Sequence, residues 1–243
     1  MISARKKSSR ITNLAETKIQ KLKKQPTIQP MEAFFIFNTD ENEIVKIEGW
    51  ENLNGTTKQK LKLKTIISSI SPEYQNFSAE IIEKSIAYYK DQKIDLLDHW
   101  CQFDLKILHK NGITNSVIAK ISAFELNDNG RLKSIIVRFT VNQALRLGKA
   151  IKFKAYNDGS NSFEEYLNSQ LSYKNRISGT EVELIHSLIN GMPYQLITET
   201  VCNDVSKIEE MMKSLLIRFN VRSKHGLLDF AFENFLLPNH SYS

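Results

Sequence analysis

The chain has little from which to build a covalent or metal framework. Its 243 residues include only two cysteines, Cys101 and Cys202, in separate halves of the chain. With no CxxC pair and no clustered ligands, they make no case for a disulfide or zinc scaffold, and they fit a reducing cytoplasm. Uninterrupted apolar runs are also missing. None approaches the roughly 18 residues that a membrane span needs. The opening MISARKKSSR is basic but leads into no apolar stretch, so no secretory signal is expected. Catalytic signatures are absent too: no Gly-rich phosphate loop, no GxSxG, no HExxH and no His/Asp/Glu set at metal-ligand spacing. The expectation is a cytoplasmic protein that is not an enzyme, with no cofactor, no metal and no membrane partner.

What is present is unevenly spread. Apolar residues at 41% and charged residues at 25% are ordinary for a globular protein, so packed cores are expected. The length allows two modest domains. The formal net charge is +6. Residues 1–25 hold eight Lys/Arg against one Glu, whereas 26–176 hold twenty basic against eighteen acidic residues. From 177 onward, five basic residues face eight acidic ones. The basic surplus therefore sits in the amino-terminal arm, and the last third of the chain is acidic.

Periodicity divides the chain further. Ile11, Leu14, Ala15, Ile19 and Leu22 share one helical face, and Pro26 and Pro30 close that segment, giving a basic helical arm over 1–29. AFFIF and EIVKI flank the turn-forming NTDEN, which predicts a hairpin. SAEIIEKSIAYYK (78–90) returns to helical spacing, with Ser78 as a candidate N-cap. Strands at about 101–109, 115–125 and 132–141 follow, separated by Asn111-Gly112 and Asn129-Gly130, which are strong hairpin signals. IKFKAY and SFEEYL around Asn157-Asp158-Gly159 suggest an extra hairpin. Everything from 177 reads as helix.

Residues 34–55 (FFIFNTDENEIVKIEGWENLNG) and 103–142 (FDLKILHKNGITNSVIAKISAFELNDNGRLKSIIVRFTVN) resemble a PAS domain. The shared order is two strands, short helices, then a three-stranded meander with glycine turns. The resemblance implies a sensor or dimerisation domain over 30–170, receiving a small-molecule or protein signal, but the fold does not choose the ligand. Phe35, Ile82, Ile86, Phe103, Leu105, Ile121 and Phe139 fit either a ligand pocket or plain core. Cys101, beside Trp100 at a strand start, reads as packed. His99 and His109 are lone histidines.

Residues 177–228 resemble the LuxR-type (GerE-type) helix-turn-helix family. ISGTEVELIHSLINGM matches the family's opening helix at Ile177, Ser178, Glu181, Glu183, Leu184, Ile185, Leu188 and Gly191, and FNVRSK (219–224) is similar to its "LGVxSR". The resemblance implies a four-helix DNA-binding domain over 171–243 that dimerises through its last helix, SKHGLLDFAFENFLL, whose Leu227, Leu228, Ala231, Phe232 and Phe235 face either the core or a partner. The fold class is then α+β: a PAS-like antiparallel sheet domain followed by an all-α helix-turn-helix domain.

The residues alone give the same orientation for 204–219. Ile208, Met211, Met212, Leu215, Leu216 and Phe219 form one apolar stripe. Asp204 or Asn203 can cap the helix start. The face left outside is Lys207, Glu209, Glu210, Lys213, Ser214, Ile217 and Arg218. In the family, "TVKxH" opens the recognition helix and its Thr and Lys approach DNA; those positions are Lys207 and Glu209 here, and the His is Met211. Glu in place of Lys removes an attraction to phosphate and adds a repulsion. Three accounts stand. The module binds double-stranded DNA as a homodimer through Lys207, Glu210, Lys213, Ser214, Arg218, Arg222 and Lys224. Alternatively, it is a helix-turn-helix repurposed for protein contact, regulating transcription through a partner. The third account is a dimer scaffold that does not bind DNA.

Overall fold

The computed structural model describes residues 31–57, 60–91, 99–156, 160–202 and 204–237. The arm at 1–29, the Asn157-Asp158-Gly159 turn and the cap candidate Asn203 lie outside the described residues.

Strands β1 (Glu32–Asn38) and β2 (Glu43–Glu48) form the expected hairpin. Asn38 Oδ1 accepts from the amides of Asp40 and Glu41 at 2.9 and 3.2 Å, so the side chain closes the turn that its own backbone opens. Helices α1 (Trp50–Asn54), α2 (Leu63–Ser68) and α3 (Pro72–Asp91) follow. Then comes the expected meander of β3 (Trp100–Leu108), β4 (Thr114–Leu126) and β5 (Leu132–Val141). Gly112 and Gly130 in its turns have φ of 86° and 72°, values that glycine reaches without a steric penalty.

Ser78 is not a helix cap. α3 starts at Pro72, which suits a first helical position. Tyr74, Phe77, Ile81, Ile82, Tyr88 and Tyr89 carry one continuous buried face past Ser78. The Ser78 hydroxyl is buried in mid-helix with no hydrogen-bond partner among the described residues.

SFEEYL is helix rather than strand. β6 (Ile151–Tyr156) runs into α4 (Ser160–Gln170). Phe163 and Leu167, one turn apart, are both fully buried, and Phe163 stacks on Tyr88 with ring centroids 4.4 Å apart. That i, i+4 pair overrides the strand-like composition. Between them, the buried carboxylate of Glu164 accepts from Ala155 N at 3.0 Å and from Thr180 N and Oγ1 at 2.7 Å each.

A short strand β7 (Arg176–Ser178) returns parallel to β6, completing a seven-stranded sheet of order β2-β1-β5-β4-β3-β6-β7. The other pairings are antiparallel. Ser178 ends that strand, opposite Phe153, and also caps the next helix. The main core joins the sheet to α1–α4 and is rich in aromatics; Phe77 meets Phe103 and Phe153 at 5.7 and 6.2 Å. Phe35, Ile82, Phe103, Leu105, Ile121 and Phe139 are all buried in it, with Ile86 packed against it. They act as core there, and none lines a cleft described below.

Helices α5 (Gly179–Ile189), α6 (Tyr194–Val201), α7 (Val205–Arg218) and α8 (Lys224–Glu233) enclose a second core. Leu184, Ile185, Ile197, Ile208, Leu215 and Leu227 are fully buried there, alongside Ile177 of β7 and Ala150 just before β6. Each such aliphatic side chain stabilises the fold by about 1.5–3 kcal/mol on burial. Sheet and helical unit are thus packed together rather than joined by a free linker. Among the described residues, no helix is long and apolar enough to cross a membrane.

Candidate nucleic-acid interface

The four helices are set by their ends as much as by their stripes. At α5, Ser178 Oγ accepts from Glu181 N at 3.2 Å while Ser178 N donates to Glu181 Oε2 at 2.9 Å, a reciprocal capping box. Asp204 Oδ1 accepts from Ser206 N at 2.9 Å to start α7, as expected. Ser223 Oγ does the same for α8 with Gly226 N at 3.1 Å. These caps answer amides that the first turn leaves unpaired.

On α7 the apolar stripe faces in. Ile208, Met212, Leu215 and Phe219 are buried, with Met211 and Leu216 half-buried. The opposite face carries Lys207, Glu209, Glu210, Lys213, Ser214 and Ile217, all exposed, Ile217 at 78%. Arg222 and Lys224 are exposed just beyond the helix end. Six of the seven residues chosen from the sequence therefore share accessible surface. Among the described residues, Lys207 is the one of these with an ion pair, a loose one at 3.4 Å to Glu165 on α4.

Arg218 departs from the expectation. Its side chain is only 10% exposed, and Nη2 donates to Glu181 Oε1 at 2.5 Å. Nη1 donates to the Arg176 carbonyl at 3.3 Å. Asn168 Nδ2 reaches the same Glu181 oxygen at 3.1 Å, and Arg176 grips the Asn168 carbonyl through Nε and Nη2 at 3.2 and 2.7 Å. Burial and the neighbouring Arg218 charge push the Arg176 guanidinium below its ordinary value. Arg218 thus bolts α7 to α5 and β7, with α4 joined through Asn168, and it cannot also reach for a phosphate.

The family resemblance marks Glu181 only as a match to the opening helix; the Ser178-x-x-Glu181 spacing is the signal that could have identified it as a cap. Its role as partner to Arg218, Asn168 and the strand end has no local signature. With Arg218 turned inward, the outward cations of this region are Lys207, Lys213, Arg222 and Lys224, facing the exposed carboxylates Glu209 and Glu210. Four cations against two carboxylates leave these groups only weakly positive. Leu196 and Val205 are also exposed, at 47% and 52%. Along α8, Leu227 and Ala231 are buried while Phe232 stands 56% exposed, and Phe235, just beyond the helix end, 41%. Among the described residues, no group of three or more His, Cys, Asp or Glu side chains could hold a metal ion. The Cys101 thiol is fully buried, which pushes its pKa up and keeps it a thiol.

No protein-family model and no curated protein matches the chain. Solved structures of similar outline include the VqmA dimer of Vibrio cholerae, described as a LuxR-type receptor. It has 13% identity over 89% of this chain and 86% of that one, with a TM-score of 0.35. A phage VqmA–DPO complex aligns with 97% of this chain and 95% of that one at 13% identity and a TM-score of 0.33. The PAS domain of a protein from Colwellia psychrerythraea covers 48% of this chain and 90% of its own, at 14% identity and a TM-score of 0.35.

Proposed function

We propose that the chain is a cytoplasmic transcriptional regulator that acts by binding and not by catalysis, in which a PAS-like sheet domain steers a LuxR-type helix-turn-helix dimer on double-stranded DNA. The observation that carries this reading is α7. One side is wholly spent on the helical core, and the other offers Lys207, Lys213 and Ser214 to solvent with Arg222 and Lys224 alongside. A helix in the major groove needs such a free face, with cations at its margins for the phosphates. Ile217 suits an apolar contact with a thymine methyl, and Glu210 can accept from a cytosine amine.

The same set of cations limits the grip. With few phosphate contacts per protomer, affinity and its salt dependence are modest. Two-fold readers place half-sites about one helical turn, or roughly 34 Å, apart. A signal that favours one arrangement of the two protomers therefore changes affinity. Gel-shift selection from a pool of genomic fragments tests the reading. A recovered inverted repeat supports it, and no shift even at low salt rejects it.

One observation favours a second reading. Ile217 and Val205 are exposed on the same helix as the exposed Glu209 and Glu210, and Leu196 is exposed on α6. A protein partner covering these apolar side chains would regulate transcription in place of direct DNA contact. Loss of DNA retention with retained capture of one specific protein would select it.

A further inference from the structure

A cleft of about 740 Å3 opens between the sheet and the last two helices. Tyr74 of α3 and Tyr173 line it, as do Phe219 at the end of α7 and Phe230 of α8. Phe219 and Phe230 stack face to face, with centroids 4.2 Å apart and planes 17° from parallel. Tyr173 is held by its hydroxyl, which donates to the Glu73 carbonyl at 3.2 Å. The cleft is thus walled by aromatic rings fixed in place.

Four charged residues also line it: Lys106 of β3, Lys149 from the β5–β6 connection, Glu73 of α3 and Glu233 of α8. Among the described residues, none of the four side chains enters an ion pair or hydrogen bond. The cleft therefore offers both signs of charge to its contents. Two carboxylates disfavour a polyanion such as a nucleotide, and two ammonium groups disfavour a simple cation. A zwitterion can satisfy both. Its carboxylate would take charge-assisted hydrogen bonds from lysine, and its ammonium would donate to glutamate. The aromatic walls favour a flat ring in the same molecule. The volume falls within the roughly 300–1,000 Å3 of small-molecule sites.

We propose that this cleft binds a free aromatic α-amino acid. The site borders the main core at Tyr74 and Ile151, and its lining residues come from both the sheet half and the helical unit. A ligand there touches both at once. Only its effect on DNA affinity rests on the regulator reading; binding itself does not.

The test is calorimetric titration of the full-length protein, without DNA, using L-tryptophan, L-phenylalanine, tryptamine, indole-3-propionate and L-alanine. Saturable binding of tryptophan or phenylalanine is expected. Weakening of about tenfold or more should follow when the carboxylate, the ammonium or the ring is missing. Lys106→Ala with Lys149→Ala should erase the preference over tryptamine, and Glu73→Gln with Glu233→Gln the preference over indole-3-propionate. Three of these four side chains are exposed and Lys106 is half-buried, so an unchanged melting temperature confirms folding. The proposal is overturned if neither aromatic amino acid binds, if all five compounds bind alike, or if folded variants keep both preferences. Because no DNA is present, failure of the regulator reading leaves this outcome untouched.

Discussion

Arg218 and Glu181, from the end of α7 and the start of α5, form an ion pair whose side chains are 10% and 2% exposed. Removing one member of such a pair leaves the other charged and dry, which costs about 3–5 kcal/mol. Arg218→Met should therefore lower unfolding free energy strongly in urea denaturation. Glu181 keeps its bonds to Ser178 N and Asn168, so the lower end of that range is expected. Adding Glu181→Gln to Arg218→Met should recover part of the loss, because no uncompensated charge remains. A neutral single variant would contradict the buried-pair account.

Gly148, in the β5–β6 connection, lies tightly against Asn234 at the end of α8. A Cβ there would lie 2.5 Å from Asn234 Cα and 2.7 Å from its Oδ1. That oxygen accepts from the amides of Lys149 and Ala150 at 2.6 and 3.3 Å. Gly148→Ala should cost about 1–3 kcal/mol through overpacking. Hydrogen exchange should speed up first at Lys149 and Ala150. Uniformly unchanged protection would show that α8 yields without strain.

Asp104 is nine-tenths buried beside Lys152, at 3.7 Å. Burial raises its pKa, and the Lys152 charge only partly opposes this. A carboxyl whose folded-state pKa is raised contributes stability at low pH and loses it as pH rises through that value. Asp104→Asn should thus stabilise the protein at neutral pH relative to wild type. The advantage should shrink as pH falls through the carboxylate range. Thermal melts of both proteins across that range check the sign; a gain confined to acid pH would reverse it.

If α7 docks in a groove, Lys213→Ala and Arg222→Ala should each weaken binding to all sequences alike. Each should flatten the salt slope by about one unit per protomer. Ile217→Ala should act differently, relaxing preference at one base position with the slope intact. Fluorescence anisotropy at several salt concentrations separates these outcomes.

What was legible and what was not follows from the range of the interactions. The α7 stripe could be read because helical period writes packing into spacings of three and four residues. The meander could be read because its turns need glycine at positive φ, and Gly112 and Gly130 supply it. SFEEYL was misread because its aromatics suit a strand, and only the burial of Phe163 and Leu167 against α3 settles it as helix. Arg218 sits at the margin of the α7 stripe, where a helical wheel assigns it to solvent. Its partner lies 37 positions earlier, and no local pattern announces a contact at that separation. The charge count had already shown the last third to be acidic, and burial of Arg218 removes one more outward cation.

The capping serine at position 178 has a practical consequence for anyone dividing the chain. It belongs to the sheet's last strand and to the first helix of the following unit at once, so no cut passes cleanly between them. Severing just after residue 170 would carry off the sheet's outermost strand and leave Lys152 and Phe153 without their neighbours. The detached piece would keep Ile177 with nothing from Ala150 to lie against. The two halves are better exchanged between homologues as a single inseparable block than as interchangeable cassettes.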